Sequence, residues 1–237
     1  MHSALLLAVI SQLAACDALA SVTWRMPNVP EEGLSDITFP INIANAPHTS
    51  GYYFAEQFGF KNESHVGYTG LQPRADANNQ TIIHGVFSSF ITGSTSEDPN
   101  CSDGADGGNG VSCSFEFVGD YADTWNMVVN TTGGNTWTGT AVNTRTGVGK
   151  HIGSYTLPDS VGGISDSNFG FVEYYPWNSN PSLTCADIPF TQGTLFAPIS
   201  KSTKNGTATG TVVGSITSCQ DYITKVDTPA SVEFTLE

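Results

Sequence analysis

The chain reads as an all-β protein, a two-sheet antiparallel β-sandwich of jelly-roll or lectin-like type stapled by disulfides. Three observations predict it. Short stretches of period-two alternation, rich in β-branched and aromatic residues, recur between clusters of Gly, Pro, Asn and Asp. No stretch carries the 3.6-residue apolar period of an amphipathic helix. Charged residues are only 13% of 237, while Gly, Ser, Thr and Asn abound, a composition poor for helices and common in exported β proteins.

From the N-terminus, MHSALLLAVISQLAACDALAS is a short apolar run ending in small residues, and Ala18-Leu19-Ala20 fits the small-x-small pattern that signal peptidase cleaves. This makes 1–20 a signal peptide and 21–237 a single β-sandwich domain beginning at Ser21. The run is shorter than the ~20 apolar residues of a bilayer span, and no later stretch approaches that length. The mature protein is therefore expected to be secreted and extracellular, with no membrane span. Leu13-Ala14-Ala15-Cys16 also fits the bacterial lipoprotein pattern, in which Cys16 is acylated and becomes the first residue. Against it stand an n-region without Lys or Arg and sequons at Asn62, Asn79, Asn130 and Asn205, which suit a glycosylated eukaryotic export product.

Along the rest of the chain, strands are predicted at 37–45, 52–60, 67–72, 82–91, 111–118, 124–130, 136–143, 151–156, 169–175, 207–217 and 231–236. Thr131-Thr132-Gly133-Gly134-Asn135, between strands that carry Trp125 and Trp137, and Arg145-Thr146-Gly147 read as hairpin turns, and both tryptophans read as core. Residues 176–206 read as a long irregular excursion. With Cys16 removed, Cys101, Cys113, Cys185 and Cys219 form an even set, and proximity favours Cys101–Cys113 and Cys185–Cys219.

The first bridge encloses DPNCSDGADGGNGVSC, residues 98–113. An EF-hand is excluded by Pro99, Cys101 and the missing twelfth-position Glu, and a phosphate loop by the absence of Lys and a following helix. Asp98, Asp103 and Asp106, with the Asn100 and Asn109 amides, are candidate ligands for a non-motif Ca2+ site. The competing reading is a sharp turn, with glycines at positive φ and aspartates capping backbone amides.

Acidic residues number 22 against 8 basic, a formal net charge of −14, so nucleic acid and anionic membranes are repelled and no basic patch offsets this. Neutral polymers, cations and basic partners stay open.

Candidate chemistry lies on two strands. In GYYFAEQFGF, residues 51–60, alternation sets Tyr52, Phe54, Glu56 and Phe58 on one face, and Phe171, Glu173 and Tyr175 share a face in the same way. A glutamate flanked by aromatics suits a sugar site, because rings stack on pyranose faces while a carboxylate binds hydroxyls or moves protons. Should Glu56 and Glu173 converge, they form an acid and base pair. Tyr52, Gln72, Arg74, His84, Tyr175 and Trp177 are the candidate ligand-binding residues around them. The competing reading puts the rings in the inter-sheet core and each Glu on a backbone amide or an Arg. His48, His65, His84 and His151 show no zinc spacing, and no Gly-x-Ser-x-Gly elbow occurs.

Read in order, Gly51-Tyr52-Tyr53-Phe54, Gly67-Tyr68-Thr69-Gly70-Leu71-Gln72, Val86-Phe87-Ser88-Ser89-Phe90, Gly104-Ala105-Asp106-Gly107-Gly108, Ile152-Gly153 and Phe171-Val172-Glu173-Tyr174-Tyr175 resemble domain-of-unknown-function family 3472 of secreted fungal and bacterial proteins. Phe90 stands where that family usually has Trp, and cysteines bracket the glycine loop. The resemblance implies a β-sandwich in an extracellular polysaccharide setting and carries over no catalytic residue. The functional expectation is a secreted protein that binds extracellular or cell-wall carbohydrate. The alternatives are a glycoside hydrolase or polysaccharide lyase using Glu56 and Glu173, and a structural or effector-like secreted protein without small ligand.

Overall fold

The computed structural model describes residues 18–131 and 133–237. Residues 1–17 of the leader expected over 1–20, including Cys16, and Thr132 of the third sequon lie outside them. In chain order the strands are β1 (Ala20–Arg25), β2 (Asp36–Asn42), β3 (Tyr52–Gly59), β4 (Val66–Pro73), β5 (Ile82–Ser89), β6 (Cys101–Ala105), β7 (Gly108–Val118), β8 (Thr124–Thr131) and β9 (Thr136–Asn143). They continue with β10 (Gly149–Thr156), β11 (Ser167–Tyr174), β12 (Thr191–Phe196), β13 (Ile199–Thr203), β14 (Gly206–Thr209), β15 (Thr211–Ile216), β16 (Ile223–Asp227) and β17 (Ser231–Leu236). One turn of α-helix, α1 (Pro176–Ser179), and a 3-10 turn at Cys185–Asp187 interrupt the 176–206 stretch.

Two antiparallel sheets pack on each other. One runs β15-β1-β11-β3-β4-β5-β7-β6, and the other β10-β9-β8-β2-β12-β17-β16, with β13 paired to β2 and β14 to β13. Between them lies a core fed from both sheets, and rings cross it in a stack. Phe39 of β2 lies over Phe58 of β3 at 6.3 Å, Phe58 over Phe87 of β5 at 6.3 Å, and Phe87 over Tyr155 of β10 at 4.4 Å. Trp125 and Trp137 are buried in this core. Both cysteine pairs form as proximity favoured, Cys101–Cys113 and Cys185–Cys219. Asn62, Asn79 and Asn205 are exposed in turns, and Asn130 is half-buried in β8.

Several strands escaped the sequence reading for identifiable reasons. The 176–206 stretch is not irregular throughout, because it holds β12 and β13. The inward positions of β12 are Thr191, Gly193 and Leu195, so its alternation lacks the apolar marks that flag a half-buried strand. Gly193 is required there: a Cβ would sit 2.4 Å from the Phe54 ring. β6 is built from Ser, Asp and Gly and is held by its pairing with β7. β16 is a short edge strand, and the predicted 207–217 strand breaks at Gly210 into β14 and β15.

The boundary expected between Ala20 and Ser21 falls at the start of β1. Leu19 is fully buried, its N–H donates to the Val172 carbonyl at 2.9 Å, and its carbonyl accepts from the Thr217 and Ser218 N–H groups. A chain beginning at Ser21 loses these bonds and a buried leucine. It is expected to be about 2–4 kcal/mol less stable to urea than one beginning at Ala18, the range for burying one such side chain plus its backbone bonds. N-terminal sequencing of exported protein should find the cut upstream of Leu19.

The first disulfide packs across the interface on Gly153 of β10. A Cβ there would lie 2.5 Å from Cys113 Cβ and 2.6 Å from Cys101 Sγ. Gly153→Ala should therefore lower stability by about 1–3 kcal/mol, read as the shift in urea midpoint.

Candidate functional site

The pairing of β3 with its neighbours decides which of its side chains face outward. Tyr53 lies opposite Glu173, Ala55 opposite Phe171, and Glu56 opposite Gly170 of β11. On the other side, Gln57 lies opposite Tyr68 and Glu56 opposite Thr69 of β4. Phe54 and Phe58 belong to the inter-sheet core, so by alternation Tyr52, Glu56 and Thr69 share that inner face. Tyr53, Ala55, Tyr68, Val86 and Phe171 form a second cluster, made only of side chains from the eight-stranded sheet and flanked by Ala18, Phe90 and Tyr175. This is the outward face.

The expected pairing of Glu56 with Glu173 is thereby corrected: the sheet separates them. Glu56 is 1% exposed, and its Oε2 has no hydrogen-bond partner among the described residues. Burial raises its pKa well above the ordinary carboxylate range. Tyr52 is also sealed inside, with its hydroxyl on the Pro189 carbonyl, and burial followed by the neighbouring Tyr174 raises its pKa. Trp177, expected on an open loop, lies in α1 and packs half-buried against the inter-sheet core.

Glu173 and Tyr175 take the outward face. Glu173 is 7% exposed, and its Oε1 accepts a hydrogen bond from the Asn178 side-chain amide of the α1 turn. Around it, Tyr53 meets Tyr68 and Phe171 edge-on, at 5.5 and 5.7 Å, and Tyr68 meets Phe90 at 4.9 Å. Phe169, one outward position before Phe171, is 45% exposed and offers the open ring of this face. The Tyr68 hydroxyl donates to the Asp106 carboxylate at 3.2 Å. Burial, then the charge of Asp106 and more weakly that of Glu173, raise the Tyr68 pKa.

Further along the face the register sets Gln72 opposite His84 and His84 opposite Glu116. Arg74 Nε donates to Glu116 Oε1 at 3.2 Å and its Nη2 to Gln72 Oε1 at 2.7 Å, while His84 Nδ1 lies 3.3 Å from Glu116 Oε1. Burial, then the Arg74 charge, lower the His84 pKa. Gln72, Arg74 and His84 thus share one network, joined through a glutamate that sequence reasoning did not select. It also passed over Tyr53, Tyr68, Phe169 and Asn178. The two strands of GYYF-type residues carry rings on both faces, so alternation alone did not say which set looks outward.

The calcium candidates separate. Asp98 accepts from His151 Nε2 at 2.6 Å and Ser154 Oγ at 3.0 Å beside a depression of about 510 Å3, Asp103 is exposed on β6, and Asp106 reaches Tyr68. Among the described residues no group of three or more His, Cys, Asp and Glu side chains is placed to hold a metal ion. The loop is a hairpin: Ala105 pairs with Gly108, and Asp106 and Gly107 take φ of 48° and 76°, the paired left-handed values of a two-residue turn.

No family model and no curated protein matches the chain. Among solved structures, a Scytalido-glutamic peptidase with a peptide-based transition-state analogue superposes with a TM-score of 0.51 at 14% identity, over 93% of this chain and 98% of that one. SCP-B, a member of the Eqolisin family of peptidases in complex with a tripeptide, gives 0.44 at 11%, over 93% and 98%. The CBM2 module of the evolved Dit of Lactobacillus casei BL23 phage J-1 gives 0.38 at 12%, over 92% and 70%. The first of these shows that the chain shares the glutamic-peptidase fold.

The isolated carboxyl on the inner face has a measurable consequence. The folded chain keeps the Glu56 proton to higher pH than the unfolded chain, so its contribution is complete below the ordinary carboxylate range and is lost as pH rises through the elevated folded value. Glu56→Gln should match the parent in acid, exceed it in stability at neutral and alkaline pH, and flatten the curve of urea midpoint against pH.

Proposed function

We propose that this chain is an exported β-sandwich that engages extracellular carbohydrate through the outward face of its eight-stranded sheet. The observation that carries the reading is Glu173, a carboxylate fixed by Asn178 and set among Tyr53, Tyr68 and Phe171 on the side of the sheet turned away from the core. A carboxylate binds sugar hydroxyls, the half-buried Gln57 and Gln72 amides add donors and acceptors, and the exposed Phe169 ring and half-buried Tyr175 suit stacking. Two disulfides and the absence, among the described residues, of a helix long and apolar enough to cross a membrane accord with export. A net charge of −14 disfavours nucleic acid. The polysaccharide setting implied by the resemblance to family 3472 points the same way.

A second reading is a hydrolase of polypeptide in which Glu173 moves protons. It draws on the fold shared with a glutamic peptidase that holds a peptide-based transition-state analogue, and on a single carboxyl held by an amide donor, an arrangement suited to general acid and base work. A hydrolase or lyase built on Glu56 with Glu173 is not supported, because Glu56 faces the core.

A glycan array, followed by product analysis on whatever binds and by digestion of denatured protein at acid pH, separates these readings. Carbohydrate engagement expects binding that falls about tenfold or more in Glu173→Gln, the scale of one charge-assisted hydrogen bond. Peptide products abolished by Glu173→Gln, with no glycan bound, would establish the second reading. Silence in every arm would leave a structural wall protein.

A further inference from the structure

Resting on the carbohydrate reading, we infer that Asp106 is a specificity-determining residue of the Glu173 face and selects sugars bearing a protonated amine over their neutral N-acetylated forms. The placement of Asp106 is not that of an ordinary edge hairpin. Its hairpin, β6–β7, lies at the sheet edge, and β5 stands between β7 and β4, which carries Tyr68. For the Asp106 carboxylate to reach the Tyr68 hydroxyl at 3.2 Å, the tip must fold over β5 onto the outward face.

Four contacts hold it there. Cys101 and Cys113 are directly opposed in the β6–β7 register and bridged. Ser88 and Ser112 share a hydrogen bond at 3.0 Å beneath the hairpin. Asn109 donates to Thr92 Oγ1 at 3.0 Å, and Gly110 packs so closely on Ser89 that a Cβ would meet its carbonyl oxygen at 1.9 Å. The tip is therefore built into the wall of the site. The Tyr68 hydroxyl is hydrogen-bonded to Asp106, and the Tyr68 ring meets Tyr53, the register partner of Glu173.

Among the described residues no salt bridge engages Asp106 or Glu173: Arg74 is held by Glu116 and Gln72, and Arg25 lies at the far end of β1, five residues along from Ala20. An ammonium brings three donors and a charge to the Asp106 carboxylate and is attracted by ring faces, whereas an acetamido group brings one donor, more bulk and no charge. The overall negative charge attracts a cationic polymer to the protein.

The test compares short glucosamine oligomers with N-acetylglucosamine and glucose oligomers of the same length, by titration calorimetry on the exported chain. Glucosamine oligomers should bind about tenfold more tightly. That advantage should disappear in Asp106→Asn, which can still accept from Tyr68, and should survive in Asp103→Asn, which removes the same charge from the exposed strand of the same hairpin. Equal affinity for all three oligomers, or an advantage lost equally in both variants, would overturn the role of Asp106 while leaving carbohydrate engagement standing. Failure to bind any of these oligomers would overturn this inference, while carbohydrate engagement would still be decided by the glycan array.

Discussion

The ring stack that crosses the interface, Phe39 on Phe58 on Phe87 on Tyr155, ties the two sheets together, and the placement of every outward residue follows from it. Two of its rings come from each sheet, so sliding one sheet against the other would break both contacts that cross the interface, Phe39 on Phe58 and Phe87 on Tyr155. Its closeness is permitted by Gly139 of β9, where a Cβ would fall 2.4 Å from Phe87. Once Phe58 and Phe87 are committed inward, the two-residue period of a strand commits Tyr53, Gln57, Tyr68 and Val86 outward. A one-residue slip of β3 would exchange Glu56 for Tyr53 and dismantle the site.

That constraint also explains why a carboxyl is found in the core. Glu56 occupies an inward position of β3, facing Gly170 and Thr69, and a side chain cannot change face without moving its strand. The absence of a side chain at Gly170 leaves room for the carboxyl, since a Cβ there would lie 2.3 Å from Glu56 Oε2. Such a group is tolerated as the neutral acid, which is what burial favours. Glu173, on the opposite face, has an amide donor in Asn178. Two glutamates of similar sequence context thus have different chemistry because of one difference in parity.

The glycine- and aspartate-rich stretch 98–113 turns out to serve the same face. Its glycines allow the left-handed turn at Asp106 and Gly107, its cysteines bridge the two arms, and the bridge rests on Gly153 of the other sheet. The aspartates do different things: Asp98 anchors the start of the loop to His151 and Ser154, whereas Asp106 is delivered to Tyr68. The loop is thereby fixed to both sheets, which holds its tip in place.

Local pattern was enough to read the sandwich, most of its strands and both disulfides, because alternation, turn residues and cysteine proximity are properties of short segments. The same reading named Gln72, Arg74, His84, Glu173 and Tyr175 as candidates for one groove, of which Gln72, Arg74 and His84 share a hydrogen-bonded network through Glu116. It did not separate Tyr52 from Tyr53 or Glu56 from Glu173, because β3 carries rings at successive positions and both of its faces look alike. Only pairing with β11 and β4, whose partners lie over a hundred residues apart in one case, fixes which face meets the core. The chemistry available was written in the residues; which side of the sheet presents it was decided by long-range register, to which local sequence is blind.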